Sequence, residues 1–238
     1  MSRSAVVFVW LFAAARPAAS QTPYRVTWWD AASVGTAGAL SLIPVALNLP
    51  HGQPPCAPCD PASVPGIDRA GLHNSSASAA TASSALLGGV VGAAAFASLH
   101  GLDPGQRRGN AAVLLNSLAW TQAATGWLKV IVHRSRPVLY TADTADAVAA
   151  AAQRESRQSF PSGHASLAFA AATSYLVIAQ REQLPHRARN AVLLYAGAAG
   201  VAALRVIGGK HFPTDVMGGA ALGSGIGWLT ATIHAHGP

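Results

Sequence analysis

Three short clusters of polar side chains interrupt otherwise apolar sequence between Lys129 and Asp215. Their members are Lys129, His133 and Arg136-Pro137, then Pro161-Ser162-Gly163-His164, and finally Arg205, His211 and Asp215. In the first cluster Lys129, His133 and Arg136 lie at i, i+4 and i+7, so they share one face for as long as a helix continues. Two cations on one face can converge on a single anion, and this pattern predicts a phosphate site.

The second cluster has the composition of a helix N-terminus. A proline, a small hydroxyl and a glycine come directly before the apolar run of residues 165–179. Ser162 is expected to cap this helix, whose first backbone N–H groups then remain free. Such N–H groups bind phosphate oxygens, so the second cluster adds donors to the same kind of site.

The third cluster combines a cation with an imidazole and a carboxylate. Its spacing indicates that Arg205 closes one apolar helix and that Pro213 lies in the first turn of the next. Asp215 follows His211 by four residues and is near enough to accept a hydrogen bond from the imidazole. A base held by an orienting group is typical of nucleophilic catalysis.

In this order and spacing, the clusters resemble the three-part motif of the type 2 phosphatidic acid phosphatase superfamily, which includes bacterial acid phosphatases and vanadium haloperoxidases. The resemblance covers about Gly109 to Trp228 and departs from the family pattern at Leu204, where a serine usually precedes the arginine. Each cluster alone is also typical of an ordinary helix boundary or a structural pair. Their coincidence in a chain with 11% charged residues favours the phosphate site.

The resemblance implies a role for each residue in a hydrolysis that passes through a phosphohistidine. His211 would attack phosphorus, while Asp215 would hold the imidazole in the tautomer whose attacking nitrogen is unprotonated. His164 would protonate the leaving oxygen and then activate water. Charge on the phosphate oxygens would be stabilised by Lys129, Arg136, Arg205, Ser162 and the backbone near Gly163. Neither a metal nor another cofactor is expected, because three fixed cations replace it.

Composition indicates one domain of closely packed helices. Hydrophobic residues make up 51% of the 238-residue chain, which contains 23 glycines. The net charge is +7, but the basic residues lack the runs and aromatic interleaving of nucleic-acid binders, so no nucleic-acid partner is expected. Membrane lipids and a lipid phosphate substrate fit this charge better, and the oligomeric state is left open.

Five apolar runs of membrane-spanning length, or close to it, occupy residues 75–99, 110–132, 165–180, 191–207 and 216–233. Several are rich in alanine and short of about 20 uninterrupted apolar residues, so a buried soluble bundle is the alternative. Glycines recur every fourth residue at Gly219, Gly223 and Gly227, and at Gly88 and Gly92, which permits close helix contact. This favours an all-α, membrane-embedded bundle of five to six core helices, of which residues 75–238 supply five and the stretch at 28–49 would be the sixth.

The first 74 residues divide into a leader and a segment that contains a loop. Residues 1–20 have the layout of a cleavable secretory signal, with an uncleaved signal anchor as the alternative. Residues 21–74 contain an apolar stretch at 28–49, which lies at the membrane interface, packs on the bundle or spans. A Pro-rich loop follows with the only cysteines, Cys56 and Cys59. Half a zinc site and a redox pair are alternatives, but a disulfide is expected in an exported chain.

The basic residues between the apolar runs predict an orientation. One side of the five-helix series carries Arg107, Arg108, Arg181, Arg187 and Arg189, and the three clusters fall on the other side. Cytoplasmic loops are enriched in Lys and Arg, so the site of a multi-pass inner-membrane protein would face the periplasm or exterior. A cleaved signal agrees with this only if residues 28–49 do not cross, whereas an uncleaved N-terminus with six crossings gives the same orientation.

The polar insertion at 138–159 is placed to form a lid or a solvated linker.

Three other functions use the same features. A vanadium haloperoxidase would hold vanadate with the same residues, and a soluble periplasmic acid phosphatase would carry them on a soluble bundle. A non-catalytic membrane bundle would use the cations only to bind lipid headgroups, but mere binding requires neither His164 nor Asp215. Phosphatidic acid, phosphatidylglycerol phosphate, a polyprenyl diphosphate and lipid A phosphate present the same headgroup chemistry, so the sequence leaves the particular substrate open.

Overall fold

The computed structural model describes residues 24–234, which form seven α-helices and four short 3₁₀ turns. The helices are α1 (Trp28–Ala46), α2 (Ala77–Leu99), α3 (Pro104–Val132), α4 (Thr144–Ala151), α5 (Gly163–Arg181), α6 (Arg187–Ile207) and α7 (Pro213–Ile233). The 3₁₀ turns are Pro61–Ser63, Gly66–Gly71, Pro137–Tyr140 and Arg154–Arg157. All five apolar runs are helices, so the prediction of an all-α bundle is confirmed. The expected signal at residues 1–20 lies outside the described residues.

α5 is the central helix, and it packs against α2, α3, α6 and α7. Its contact surface consists largely of small side chains, among them the fully buried Ala168, Ala171 and Ala172. Small residues allow neighbouring backbones to approach closely, as helices do in membranes. The surrounding helices therefore hold α5, and the histidine in its first turn, from several sides.

α7 approaches α5 through its three glycines at every fourth position. A Cβ atom at Gly219, Gly223 or Gly227 would collide with backbone atoms of α5. The same close contact brings the N-termini of the two helices together, where Ser162 N donates to Asp215 O at 3.0 Å. The glycine repeat of α7 therefore places the second and third clusters side by side.

Gly88 and Gly92 do not mediate a helix contact, contrary to the expectation from their spacing. No atom lies within 4 Å of a Cβ built at either position, because both face away from the neighbouring helices. α2 instead meets α6 through glycines of α6, since a Cβ at Gly197 or Gly200 would press on side chains of α2. Spacing alone does not show which face of a helix is covered.

α1 lies along the outside of α3 and runs parallel to it. Trp120 Nε1 donates to Ser33 Oγ at 2.9 Å. Further along both helices, Trp127 Nε1 donates to Leu40 O at 3.1 Å. The outward face of α1 is apolar and exposes Trp28, Trp29 and Leu42. The segment at 28–49 thus packs on the bundle, which was one of its predicted arrangements.

Within residues 24–234, three helices, α2, α6 and α7, are long and apolar enough to cross a membrane. Their exposed surfaces include large apolar side chains such as Phe96, Val192, Leu193 and Trp228. α3 and α5 were also predicted to span but are less apolar, because they bury polar side chains such as Asn110, Asn116, Thr173 and Ser174. These features are consistent with a membrane protein.

Candidate active site

The three clusters lie together where α3 and α6 end and α5 and α7 begin. Backbone hydrogen bonds connect them: Ser159 N donates to Arg134 O, and Ser162 N donates to Asp215 O, both at 3.0 Å. Segments that are far apart in the sequence are therefore fixed around one site.

His211 lies in the loop between α6 and α7 and is only 2% exposed. Its Nδ1 lies 2.7 Å from the backbone oxygen of Ser159, which can only accept a hydrogen bond, so Nδ1 carries the proton and Nε2 does not. Burial, with smaller effects from the charges of Lys129, Arg136 and Arg205, lowers the pKa of His211 to about 3. The ring is therefore neutral near pH 7, with one nitrogen available as a nucleophile.

Asp215 does not accept the hydrogen bond from His211 that the sequence led us to expect. Its Oδ2 lies 3.7 Å from His211 Nδ1, because that nitrogen donates to the carbonyl of Ser159 instead. The fully buried carboxylate accepts from Ser159 Oγ at 2.5 Å, from Phe212 N at 2.8 Å and from Arg134 Nη1 at 2.6 Å. Asp215 thus acts on the imidazole through its charge, and Ser159 connects the two residues.

The three cations predicted to bind phosphate converge on the site. Lys129 lies in α3, Arg136 lies directly before the turn Pro137–Tyr140, and Arg205 lies in α6. The charges of all three nevertheless act on both His164 and His211. Within residues 24–234 none of them forms an ion pair with a carboxylate. The positive charge is therefore available to a bound anion, and its sources are Lys129, Arg136 and Arg205.

Three buried polar atoms of these clusters have no hydrogen-bond partner in the described part of the chain. They are Arg136 Nε, Ser162 Oγ and Arg205 Nε. Leaving a buried polar group unpaired costs about 1–3 kcal/mol. Eight other buried side-chain atoms of the described residues also lack a partner, so it is the position of these three among the converging cations that favours a ligand site. An anion with several acceptor oxygens, such as phosphate, satisfies all three.

The start of α5 differs in one detail from the prediction. Ser162 occupies the N-cap position, but its side chain makes no capping hydrogen bond and stays free. Gly163 is the first residue of α5, so its N–H belongs to the unpaired first turn. His164 follows, and its Nε2 lies 3.0 Å from Ser84 Oγ of α2. The helix start therefore offers a hydroxyl, backbone donors and an imidazole.

Lys129 and Arg136 do not share a helix face, because α3 ends at Val132. His133 has a left-handed backbone with φ of 51° and is exposed. Arg136 instead lies beyond the helix, directly before the 3₁₀ turn Pro137–Tyr140. The two cations still converge, because the chain folds back after the end of α3.

The insertion at 138–159 forms a wall of the site. Gln158 donates from its side chain to the end of α1 and accepts from Lys129 Nζ at 2.6 Å through its backbone oxygen. A cavity of about 290 Å³ lies between this segment, Arg136 and Lys210. Of the candidate site residues only Arg136 lines this cavity, and the carboxylates of Asp146 and Glu155 line it too.

Two charged residues that sequence reasoning did not select, Asp68 and Arg134, also contact the site. Arg134 Nη2 donates to Asp68 Oδ2, and Nη1 donates to Asp215 Oδ1, both at 2.6 Å. Burial alone would lower the pKa of Arg134, but the two carboxylates outweigh that effect and raise the pKa. Arg134 lies inside the first cluster and could have been noticed, whereas Asp68 is 66 residues away from it and carries no sequence signal.

Cys56 and Cys59 are joined by a disulfide in the loop between α1 and α2, with their Cα atoms 4.9 Å apart. The loop is nearer to the site than its place in the sequence indicates. Cys59 N donates at 2.7 Å to the backbone oxygen of Leu139, in the turn that follows Arg136. The disulfide therefore lies beside the segment that follows Arg136.

The fold and the site define an α-helical protein with an apolar exterior, in which three basic side chains converge beside a buried histidine. The chain belongs to the PAP2 superfamily, because a model of that family matches residues 110–236, more than half of the chain. The predicted resemblance is confirmed, and membership supports a phosphatase-type activity. Searches of curated proteins and of solved structures found no match. The matched region contains all three clusters, while Asp68, Ser84 and the disulfide precede it.

Proposed function

We propose that this protein is a metal-independent phosphatase that hydrolyses a phosphate monoester or diphosphate of a membrane lipid through a phosphohistidine on His211. The observation that carries the proposal is the convergence of three unpaired cations and three unpartnered buried polar atoms around a neutral histidine. Phosphoryl transfer requires an in-line nucleophile and fixed positive charge around the phosphate oxygens. The candidate site can supply both.

In the proposed reaction, His211 Nε2 attacks phosphorus, and the leaving oxygen departs with the electron pair of its bond to phosphorus. His164, which is protonated when the anionic substrate is bound, donates its proton to this oxygen and becomes neutral. In the second step His164 takes a proton from the water that attacks the phosphohistidine, so phosphate is released and both rings return to their initial state. The buried charge of Asp215 stabilises the positive charge that the phosphorylated ring of His211 carries.

A lipid substrate is supported by the surroundings of the site. The apolar helices α6 and α7 meet at the loop that carries His211, and α2 supplies Ser84 beside His164. A lipid phosphate can therefore reach the cations while its acyl or prenyl chains stay in the bilayer.

Protein purified in detergent should release phosphate from one or more members of a panel of lipid phosphates and diphosphates, and EDTA should leave the rate unchanged. The physical reason is that Lys129, Arg136 and Arg205 neutralise the charge that a metal ion would otherwise neutralise. Vanadate should inhibit competitively, because it takes the geometry of the transferring phosphoryl group. Loss of activity in EDTA that Mg²⁺ or Zn²⁺ restores would contradict the proposal, as would the absence of phosphate release from every substrate.

We also propose that the site faces the periplasm or the exterior of an inner membrane. The opposite end of the bundle carries Arg107, Arg108, Arg181, Arg187 and Arg189, which the positive-inside rule assigns to the cytoplasm. Because α1 runs parallel to α3, it starts at this basic end and reaches the site end.

Single cysteines introduced at the two ends test this orientation in a variant that lacks Cys56 and Cys59. A membrane-impermeant maleimide added to spheroplasts should label Asp60→Cys, in the exposed loop at the site end, and should leave Arg187→Cys unlabelled. Both positions should react after the membrane is permeabilised. If only Arg187→Cys is labelled before permeabilisation, the orientation is the opposite of the proposed one.

A further inference from the structure

The helix that carries Asp215 is capped by a residue from a distant part of the chain. Phe212 occupies the N-cap of α7 and has no polar side-chain atom. Asp68, which is 1% exposed, accepts instead from Thr214 N at 2.9 Å through Oδ1 and from Thr214 Oγ1 at 2.8 Å through Oδ2. A carboxylate is stabilising at a helix N-terminus, where the first N–H groups lack partners. Asp68 therefore fixes the first turn of α7.

The same carboxylate also holds Arg134. Asp68 Oδ2 accepts from Arg134 Nη2, while Arg134 Nη1 donates to Asp215 Oδ1 and to Thr214 Oγ1, each at 2.6 Å. The guanidinium carbon lies 4.7 Å from the centroid of the Phe212 ring, which supports it from one face. A planar guanidinium with several donors can bridge two carboxylates, whereas a lysine ammonium has no such fixed geometry.

We propose that Asp68 is a positioning residue for the reaction: through Arg134 it fixes the carboxylate of Asp215, and through Asp215 and Ser159 it fixes the ring of His211. The chain of contacts is continuous, since Ser159 Oγ donates to Asp215 and Ser159 O accepts from His211. This inference rests on the proposed role of His211 as nucleophile. Asp68 precedes residues 110–236, which the family model matches.

The role of Asp68 is separate from phosphate binding. In the described part of the chain, its carboxylate accepts hydrogen bonds from Thr214 and Arg134 and from none of the phosphate-binding residues. A change at Asp68 should therefore affect the attack by His211 more than the affinity for substrate. In kinetic data this means a lower kcat with little change in KM.

The variant Asp68→Asn keeps the shape of the side chain but cannot keep all its hydrogen bonds. An amide has one acceptor oxygen and one NH₂ donor, so in either orientation the NH₂ group faces the donors of Thr214 or those of Arg134. The contact between Arg134 and Asp215 should then loosen. Because small displacements of reacting groups are costly, we expect kcat to fall by about 10- to 100-fold. KM should stay within about twofold of its original value.

Asp60→Asn is the matched control, because Asp60 lies in the same loop and is exposed, and in the described part of the chain its carboxylate accepts only from Ala62 N. It should leave kcat unchanged. Arg134→Gln should lower kcat as Asp68→Asn does, and the two changes together should cost little more than either alone, since Asp68 acts through Arg134. If Asp68 had only a structural role, Asp68→Asn would reduce the yield of folded protein, and the effects of Asp68→Asn and Arg134→Gln on kcat would not be coupled.

The proposal is wrong if folded Asp68→Asn protein keeps the original kcat, if KM rises while kcat does not fall, or if the losses of the two variants are fully additive. If Asp68→Asn does not fold, Arg134→Lys serves as the test instead. It keeps the positive charge but cannot bridge Asp68 and Asp215 as the guanidinium does. An unchanged kcat in Arg134→Lys would then overturn the proposal. His211→Ala is assayed alongside. Activity in His211→Ala refutes the proposed function, whereas an inactive His211→Ala with a fully active Asp68→Asn refutes only the role of Asp68.

Discussion

His211→Ala protein should have no measurable turnover with any substrate, a loss of at least about 10⁴-fold. The change removes the imidazole whose Nε2 is unprotonated while Nδ1 donates to the Ser159 carbonyl. Lys129, Arg136 and Arg205 remain, so the variant should still bind phosphate or vanadate even though it cannot form a covalent intermediate. Phosphate release and vanadate binding, measured on the same preparation, separate these two properties.

His133→Ala is the control for this experiment. His133 lies near the first cluster in the sequence, but it is exposed at the end of α3. Its removal should leave turnover close to that of the original protein. Substantial turnover in His211→Ala would contradict the assignment of the nucleophile, and equal losses in both variants would indicate a general effect of histidine removal.

His164→Ala protein should release a burst of nitrophenol from p-nitrophenyl phosphate and then nearly stop. Nitrophenolate is a good leaving group and needs little protonation, so the first step proceeds without His164. The second step requires a base that activates water, and the variant lacks it. Phosphoenzyme therefore accumulates, and the amplitude of the burst in a rapid-quench experiment should approach the concentration of active protein.

Lipid phosphates should give a different result with the same variant. Their alkoxide leaving groups are poor and depend on a proton from His164, so both steps should be slow and no burst should be seen. A burst in His211→Ala with none in His164→Ala would show that the two roles are reversed. Turnover by both variants at the rate of the original protein would show that the site is not catalytic and would favour a protein that only binds headgroups.

The helices could be predicted because their signals are local. Five runs of apolar residues have the length of helices, and prolines mark where α3 and α7 begin. The contacts of those helices are not local. The same glycine spacing that brings α7 onto α5 is present in α2, where Gly88 and Gly92 face open space. Which face of a helix is covered depends on the whole bundle, so the spacing could not decide it.

The site could be predicted only in part, for the same reason. The residue types of the three clusters indicated a phosphate site, because cations, a helix start and a histidine near a carboxylate each have a chemical meaning by themselves. The partner of His211 Nδ1 is a backbone oxygen of Ser159, and backbone oxygens occur at every position of a sequence. Asp68 and Ser84 reach the site only through folding, so nothing in their own neighbourhood marks them.

The central claim is that phosphate is carried covalently by His211, and trapping the intermediate tests it most directly. His164→Ala protein mixed with p-nitrophenyl phosphate that carries a radiolabelled phosphoryl group, then quenched in alkali and digested, should yield a labelled peptide that contains His211. The label should be stable in alkali and lost in acid, as expected of a phosphohistidine, and it should be absent from the double variant that also carries His211→Ala. Label on another residue, or label that persists without His211, would contradict the account.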